Sequence, residues 1–143
     1  NKMQIASFYA GVAITASGTT AVHALSYPLG GKYHIPHGVS NAILLAPVMR
    51  FNEPACRDRL AEAYDRCLHG SAQTVEEKSA SVIARLEDIV KHLDIPTSLA
   101  QLGVSGENLE ELVASGMEVT RLLVNNMREV TPDDARRIYQ EVL

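Results

Sequence analysis

Two histidines fourteen positions apart, His23 and His37, are the residues of this chain best suited to chemistry. They stand in Ala21-Val22-His23-Ala24-Leu25-Ser26-Tyr27-Pro28-Leu29-Gly30-Gly31 and in Tyr33-His34-Ile35-Pro36-His37-Gly38-Val39-Ser40-Asn41-Ala42. Neutral imidazole is the commonest protein ligand for a borderline divalent ion. The Pro and Gly residues between the two exclude one straight helix. Two separate elements can therefore each offer a nitrogen to one ion, as facing helices do in a bundle core. Spacing alone is a weak signal, because it fits no short motif such as His-x-x-x-His. Taken singly, His23 reads as a satisfied helix histidine and His37 as a cap-region residue.

The elements that must position the pair read as helices. Residues 2 to 16 place Met3, Ile5, Ala6, Tyr9, Ala10, Ala13 and Ile14 on more than one face, the pattern of a buried helix. Ile14 reads first as core packing. Ser17-Gly18 breaks the chain, and a second helix is predicted from about Thr19 to Leu25 or slightly beyond, loosened or ended by Pro28, Gly30 and Gly31. A helix from His37 to Arg50 is apolar nearly all round and should be central, with Pro47 expected to kink it or end it early. Asn52 and Pro54 open another over 53–68, closed by His69-Gly70. Thr74-Val75-Glu76-Glu77 is a capping box for a helix to about Leu93. Shorter pieces are expected at 98–102, 107–114 and 117–123. Thr131-Pro132-Asp133-Asp134 then starts a last helix running to about 142. No stretch alternates convincingly enough for a strand. The sum is an all-α domain of seven or eight helices over residues 1–143, with no linker or repeat.

Composition narrows the function classes. Aromatics are only 5% with no Trp, so the core must be built from Leu, Val, Ile and Ala. A net charge of -4 and no basic stripe argue against a nucleic-acid surface. No apolar run reaches about 18 residues, so no transmembrane helix is expected, and the N-terminal pattern is a poor signal peptide. Cys56 and Cys67 fall on one predicted helix about three turns apart, at roughly 1.5 Å rise per residue too far to bridge. A reducing, cytoplasmic setting follows. The chain starts at Asn1 inside a helical pattern, which is expected of a piece of a longer polypeptide.

The segment around the histidines resembles the iron-containing (group III) alcohol dehydrogenases. That family places a His, a Pro-Leu-Gly-Gly-like turn, Pro-His-Gly and then a small, apolar helix. Here these stand as His23, Pro28-Leu29-Gly30-Gly31, Pro36-His37-Gly38 and Asn41-Ala42-Ile43-Leu44-Leu45. Asn125-Asn126-Met127-Arg128-Glu129-Val130-Thr131 is similar to the Asn-Pro-Arg-x-x-Thr segment before the family's last helix, and Ile95-Pro96 through Leu102-Gly103-Val104 also matches. The resemblance covers essentially the whole chain. It implies the C-terminal helical domain of the dehydroquinate-synthase-like fold. It also implies that His23 and His37 are two of the metal ligands, with an Asp, a further His and the nucleotide-binding α/β domain lying upstream.

Other implications of the resemblance concern chemistry. Iron(II), with zinc as the alternative, and NAD or NADP are the expected cofactors. The substrate is a small alcohol or aldehyde, and the whole protein is expected to be a homodimer. Ile14 matches an apolar substrate-pocket position. Tyr27 stands where many members have a His that relays protons. A phenol titrates near 10 and is the poorer relay at neutral pH, so Tyr27 is either a catalytic proton-path residue or a core-filling aromatic. The isolated chain is expected to be inactive. The competing reading is a free-standing helical interaction module without catalysis. A relative that has lost its metal is a third, against which the retained histidines speak.

Overall fold

The computed structural model describes residues 1–143 as seven α-helices and two single 3-10 turns, with no strand. The helices are α1 (Lys2–Ser17), α2 (Ala21–Tyr33), α3 (His37–Cys67), α4 (Val75–Lys91), α5 (Leu109–Met117), α6 (Thr120–Leu123) and α7 (Pro132–Gln140). The all-α multi-helix architecture read from the sequence is the one observed.

One aliphatic core joins α2, α3, α5 and α7, around Leu25, Leu29, Leu44, Val48, Leu112 and Tyr139. Tyr139 is fully buried, and its hydroxyl donates to the Leu25 carbonyl at 2.6 Å, tying α7 to α2. Gly116 lets α5 into the same junction. A methyl there would lie 2.8 Å from Leu25 Cδ2 and 3.2 Å from the Tyr139 hydroxyl. The second half of α3 packs on α4 through Cys56, Leu60 and Ile83.

Several local expectations are corrected. The second helix does not stop near Pro28; α2 runs through Pro28, Gly30 and Gly31 to Tyr33. An interior proline costs a helix about 3 kcal/mol, and the burial of Leu25 and Leu29 on either side outweighs it. The two helices expected at 37–50 and 53–68 are present and run together as α3, but the break between them falls at Cys56 (φ -134°, ψ 17°), and Pro47 neither kinks nor ends the first. There the Cys56 thiol donates to the Asn52 carbonyl at 3.3 Å. Cys67, at the end of the same helix, is exposed, and both thiols are free.

The largest correction concerns α1. The helix is present, but every one of its residues is exposed, Met3 at 80% and Phe8 at 67% among them. Apolar pattern predicts burial only if something lies over the helix, and no other part of this chain does. No single helix is long and apolar enough to cross a membrane. α1 and α2 pass that test only as a pair, and they meet at 108° with one face of α2 in the core.

The capping box at Thr74 stands as read, and the helix start read at Thr131 is a capping box as well. At α7, Thr131 Oγ1 accepts from the Asp134 N–H at 3.2 Å, and Asp134 Oδ2 accepts from the Thr131 N–H at 3.0 Å and its hydroxyl at 2.6 Å. Burial raises the Asp134 pKa, but the bonds from Thr131 and the Arg137 ion pair outweigh it and hold the carboxyl below its usual 3.8. Its contribution is therefore complete above that pH and is lost as pH falls through the depressed folded-state value. Thr131→Ala is expected to cost about 1–2 kcal/mol at neutral pH, read as a lower urea midpoint. The gap from the parent chain should narrow below about pH 4, where carboxylates protonate. A gap that widens in acid would refute this account of the cap.

Candidate metal centre

Helical periodicity gives α2 two faces. Ala21, Ala24, Leu25, Pro28 and Leu29 are buried, which turns His23 and Tyr27, one helical turn apart, to the other side. Only three residues separate α2 from α3. His34 takes the left-handed conformation (φ 55°), Ile35 is buried and accounts for the turn's anchoring, and Pro36 precedes the first turn of α3 in an extended conformation. His37 is thus the first residue of α3, with Asn41 one turn further along the same face.

The two histidines come together. Their ring centroids lie 5.2 Å apart with an interplanar angle of 56°. Two imidazoles on one ion, each at about 2.0–2.2 Å in tetrahedral array, have ring centres about 5 Å apart. Burial, and then the neighbouring His37 as a cation, lower the His23 pKa below its ordinary 6.5. A neutral imidazole is the ligating form. The Tyr27 ring centroid is 5.7 Å from that of His37, so all three rings form one cluster.

Asn41 was missed by the sequence reading. Its Nδ2 lies 3.0 Å from His37 Nε2, and its Oδ1 is buried with no partner. A buried acceptor left unpaired costs about 1–3 kcal/mol unless a donor, a water or a cation meets it. A divalent ion would be held by His23 and by the His37 nitrogen that the Asn41 amide leaves free. The donor set therefore fits a divalent metal, but only as half a site. No group of three His, Cys, Asp or Glu forms here. No Asp or Glu occurs before Glu53, nor within α6, so the walls around the pair carry no carboxylate.

Ile14 lies beside this cluster rather than in the core. It is 45% exposed. With His23, Gly38, Asn41, Leu45 and Met49 it lines an open, mainly apolar groove of about 430 Å³. Neither Tyr27 nor His37 lines that groove. A second residue absent from the sequence reading is Arg121. Its guanidinium carbon stands 6.0 Å from the Tyr27 ring centre, brought there by α6 packing on α2. The remaining histidines stay apart: His34 ends α2, His69 follows α3 and His92 caps α4 with its ring on the Asp88 carbonyl at 2.7 Å.

Residues 1–143 match throughout the model of the Fe-containing alcohol dehydrogenase family, C-terminal. The chain is 37% identical to long-chain-alcohol dehydrogenase 1 of Geobacillus thermodenitrificans over 94% of its own length and 34% of that protein. It is 31% identical to 4-hydroxybutyrate dehydrogenase of Clostridium kluyveri, covering 96% of this chain and 37% of the other. Among solved structures, an archaeal halo-thermophilic Red Sea brine pool alcohol dehydrogenase superposes with a TM-score of 0.83 at 28% identity, over 99% of this chain and 37% of that one. The chain spans about a third of the length of the curated relatives it matches.

Proposed function

The chain belongs to the Fe-containing alcohol dehydrogenase family, and we propose that it carries half of the metal site of an enzyme that exchanges hydride between a small alcohol and NAD or NADP. The observation that carries this reading is the approach of the His23 and His37 rings to 5.2 Å. When bound, the divalent metal, iron(II) or zinc, supplies Lewis acidity to an alcohol oxygen and the nicotinamide accepts the hydride. His23 and His37 hold the ion from two helices. Asn41 fixes the His37 ring. Ile14 and the apolar groove seat the carbon chain of the substrate. Tyr27, whose ring lies beside that of His37, relays the proton released from the substrate hydroxyl, accepting it at the phenol oxygen as its own proton passes to solvent water.

An Asp and a further His from the rest of the polypeptide complete the ligand set, together with a nucleotide-binding domain. That same portion covers α1, whose exposed apolar faces are otherwise unexplained. The long-chain-alcohol and 4-hydroxybutyrate dehydrogenases among its relatives suggest a primary alcohol as substrate. A purely structural module would also use an apolar α1, but it leaves the histidine pair and the orphaned Asn41 oxygen without a purpose.

The whole protein, stripped with a chelator and reloaded with iron(II) or zinc, is expected to form NAD(P)H only with metal and alcohol both present. Metal-replete protein that reduces neither NAD nor NADP with any of a series of primary alcohols would sink the reading. Tyr27→Phe is expected to lower kcat about 10²-fold or more at unchanged metal content. A variant with parental kcat would remove Tyr27 from the proton path.

A further inference from the structure

We propose that Met49 closes the far end of the apolar groove and sets the longest unbranched alcohol that the site accepts. The proposal rests on the alcohol-oxidising reading above and adds to it the residue that measures chain length.

The course of the groove is the first observation behind it. Gly38, Asn41, Leu45 and Met49 line it from α3. Leu45 and Met49 are half-buried there, whereas Ile43, Leu44, Ala46 and Val48 between and beside them are buried. Asn41, Leu45 and Met49 stand four residues apart and so follow one another along a single helical face. At about 1.5 Å per residue, Met49 lies about 12 Å along α3 from Asn41. Asn41 is in contact with His37, and His23 lines the groove with it. The histidine pair therefore marks one end of the groove and Met49 the other.

The two walls are tied together just past Met49. Asn52, three positions on and buried, exchanges two amide hydrogen bonds with Asn126. Asn52 Nδ2 donates to Asn126 Oδ1 at 3.0 Å, and Asn126 Nδ2 donates to Asn52 Oδ1 at 2.7 Å. The adjoining Asn125 donates from Nδ2 to the carbonyl of Thr19, on the opposite wall, at 3.5 Å. Gly18 sits close under this bridge, and a Cβ there would lie 3.1 Å from Asn125 Nδ2. Met49 is also backed from behind, where it packs on the Cys56, Leu60 and Ile83 cluster between α3 and α4. An alkyl tail that reaches Met49 must push it into that filled cluster.

Each methylene laid along the groove leaves water and favours binding, until the tail meets Met49 and the next one overpacks the end. The kcat/KM profile then climbs with chain length and drops. Removing Cγ, Sδ and Cε of Met49 makes room for further carbons, and an aromatic ring in their place takes room away.

The test uses the whole, metal-loaded protein with straight-chain primary alcohols from propanol to dodecanol. The quantity read is kcat/KM for each alcohol relative to propanol. In Met49→Ala the relative value for the first alcohol beyond the parental peak is expected to rise about 10-fold or more, the usual weight of one methylene in an apolar pocket. In Met49→Phe the value at the parental peak should fall by a similar factor, and the peak should move to shorter chains. A loss of activity equal at every chain length leaves these ratios unchanged and counts against the proposal. A parental profile that climbs unbroken to dodecanol, or variant profiles that superimpose on the parental one after scaling, overturns the stop while the dehydrogenase reading stands. Failure of every alcohol to reduce NAD(P) overturns the dehydrogenase reading itself, and this proposal with it.

Discussion

His37→Ala, made in the whole protein, is expected to abolish metal retention and with it turnover, while leaving the fold intact. His37 is exposed at the first turn of α3, and its only polar partner is Asn41. Surface substitutions without such burden move stability by about 0.5 kcal/mol or less. The metal, by contrast, loses a direct ligand. Removing even an outer-shell partner of a metal site costs about 10- to 100-fold in affinity, so a ligand should cost more. His23→Ala should behave alike, and the double variant should be little worse than either, because the two act as one unit. Metal content after dialysis, far-ultraviolet circular dichroism and kcat/KM decide the matter. Stoichiometric metal in either single variant would show that the ion, if any, sits elsewhere.

Tyr139→Ala is expected to cost about 3–5 kcal/mol, the usual loss when a buried aromatic is truncated. The phenol is fully buried where α2, α5 and α7 meet, and burial pushes its pKa strongly upward, so it is a neutral donor throughout the working range. Tyr139→Phe should cost only about 1 kcal/mol, the net value of its bond to the Leu25 carbonyl. The two substitutions separate packing from hydrogen bonding. Truncation also frees α2 at Leu25, two residues after His23, so metal affinity should fall together with the urea midpoint in Tyr139→Ala and much less in Tyr139→Phe. Equal loss in both would assign the effect to the hydroxyl rather than to the ring. Enlarging Gly116 to Val presses on the same junction and is expected to destabilise by about 1–3 kcal/mol through overpacking.

How far these features were legible beforehand differs by kind. Helix starts governed by local chemistry were readable: the box at Thr74–Glu77 and the cap, proline and acids at Thr131–Asp134 need only residues up to three apart. Helix ends governed by packing were not. Pro28, Gly30 and Gly31 read as loosening or ending the helix, but burial of Leu25 and Leu29 carries α2 through them. Pro47 read as a kink, whereas the break lies at Cys56, where a thiol bonds a backbone carbonyl. In the site, His23 and His37 could be found because a short segment holds both. Asn41 lies four residues after His37, a spacing that was available to reason from. Arg121 carries no local signal, since only the packing of α6 on α2 brings it to Tyr27.

The exposure of α1 has a consequence for hydrogen exchange. Sixteen residues make a marginal helix in water when no tertiary face is buried. The amides of α1 should therefore exchange rapidly in this chain by itself and slowly only when the rest of the polypeptide is docked over it. Exchange at Ile14 thus reports directly on one wall of the groove proposed to seat the substrate.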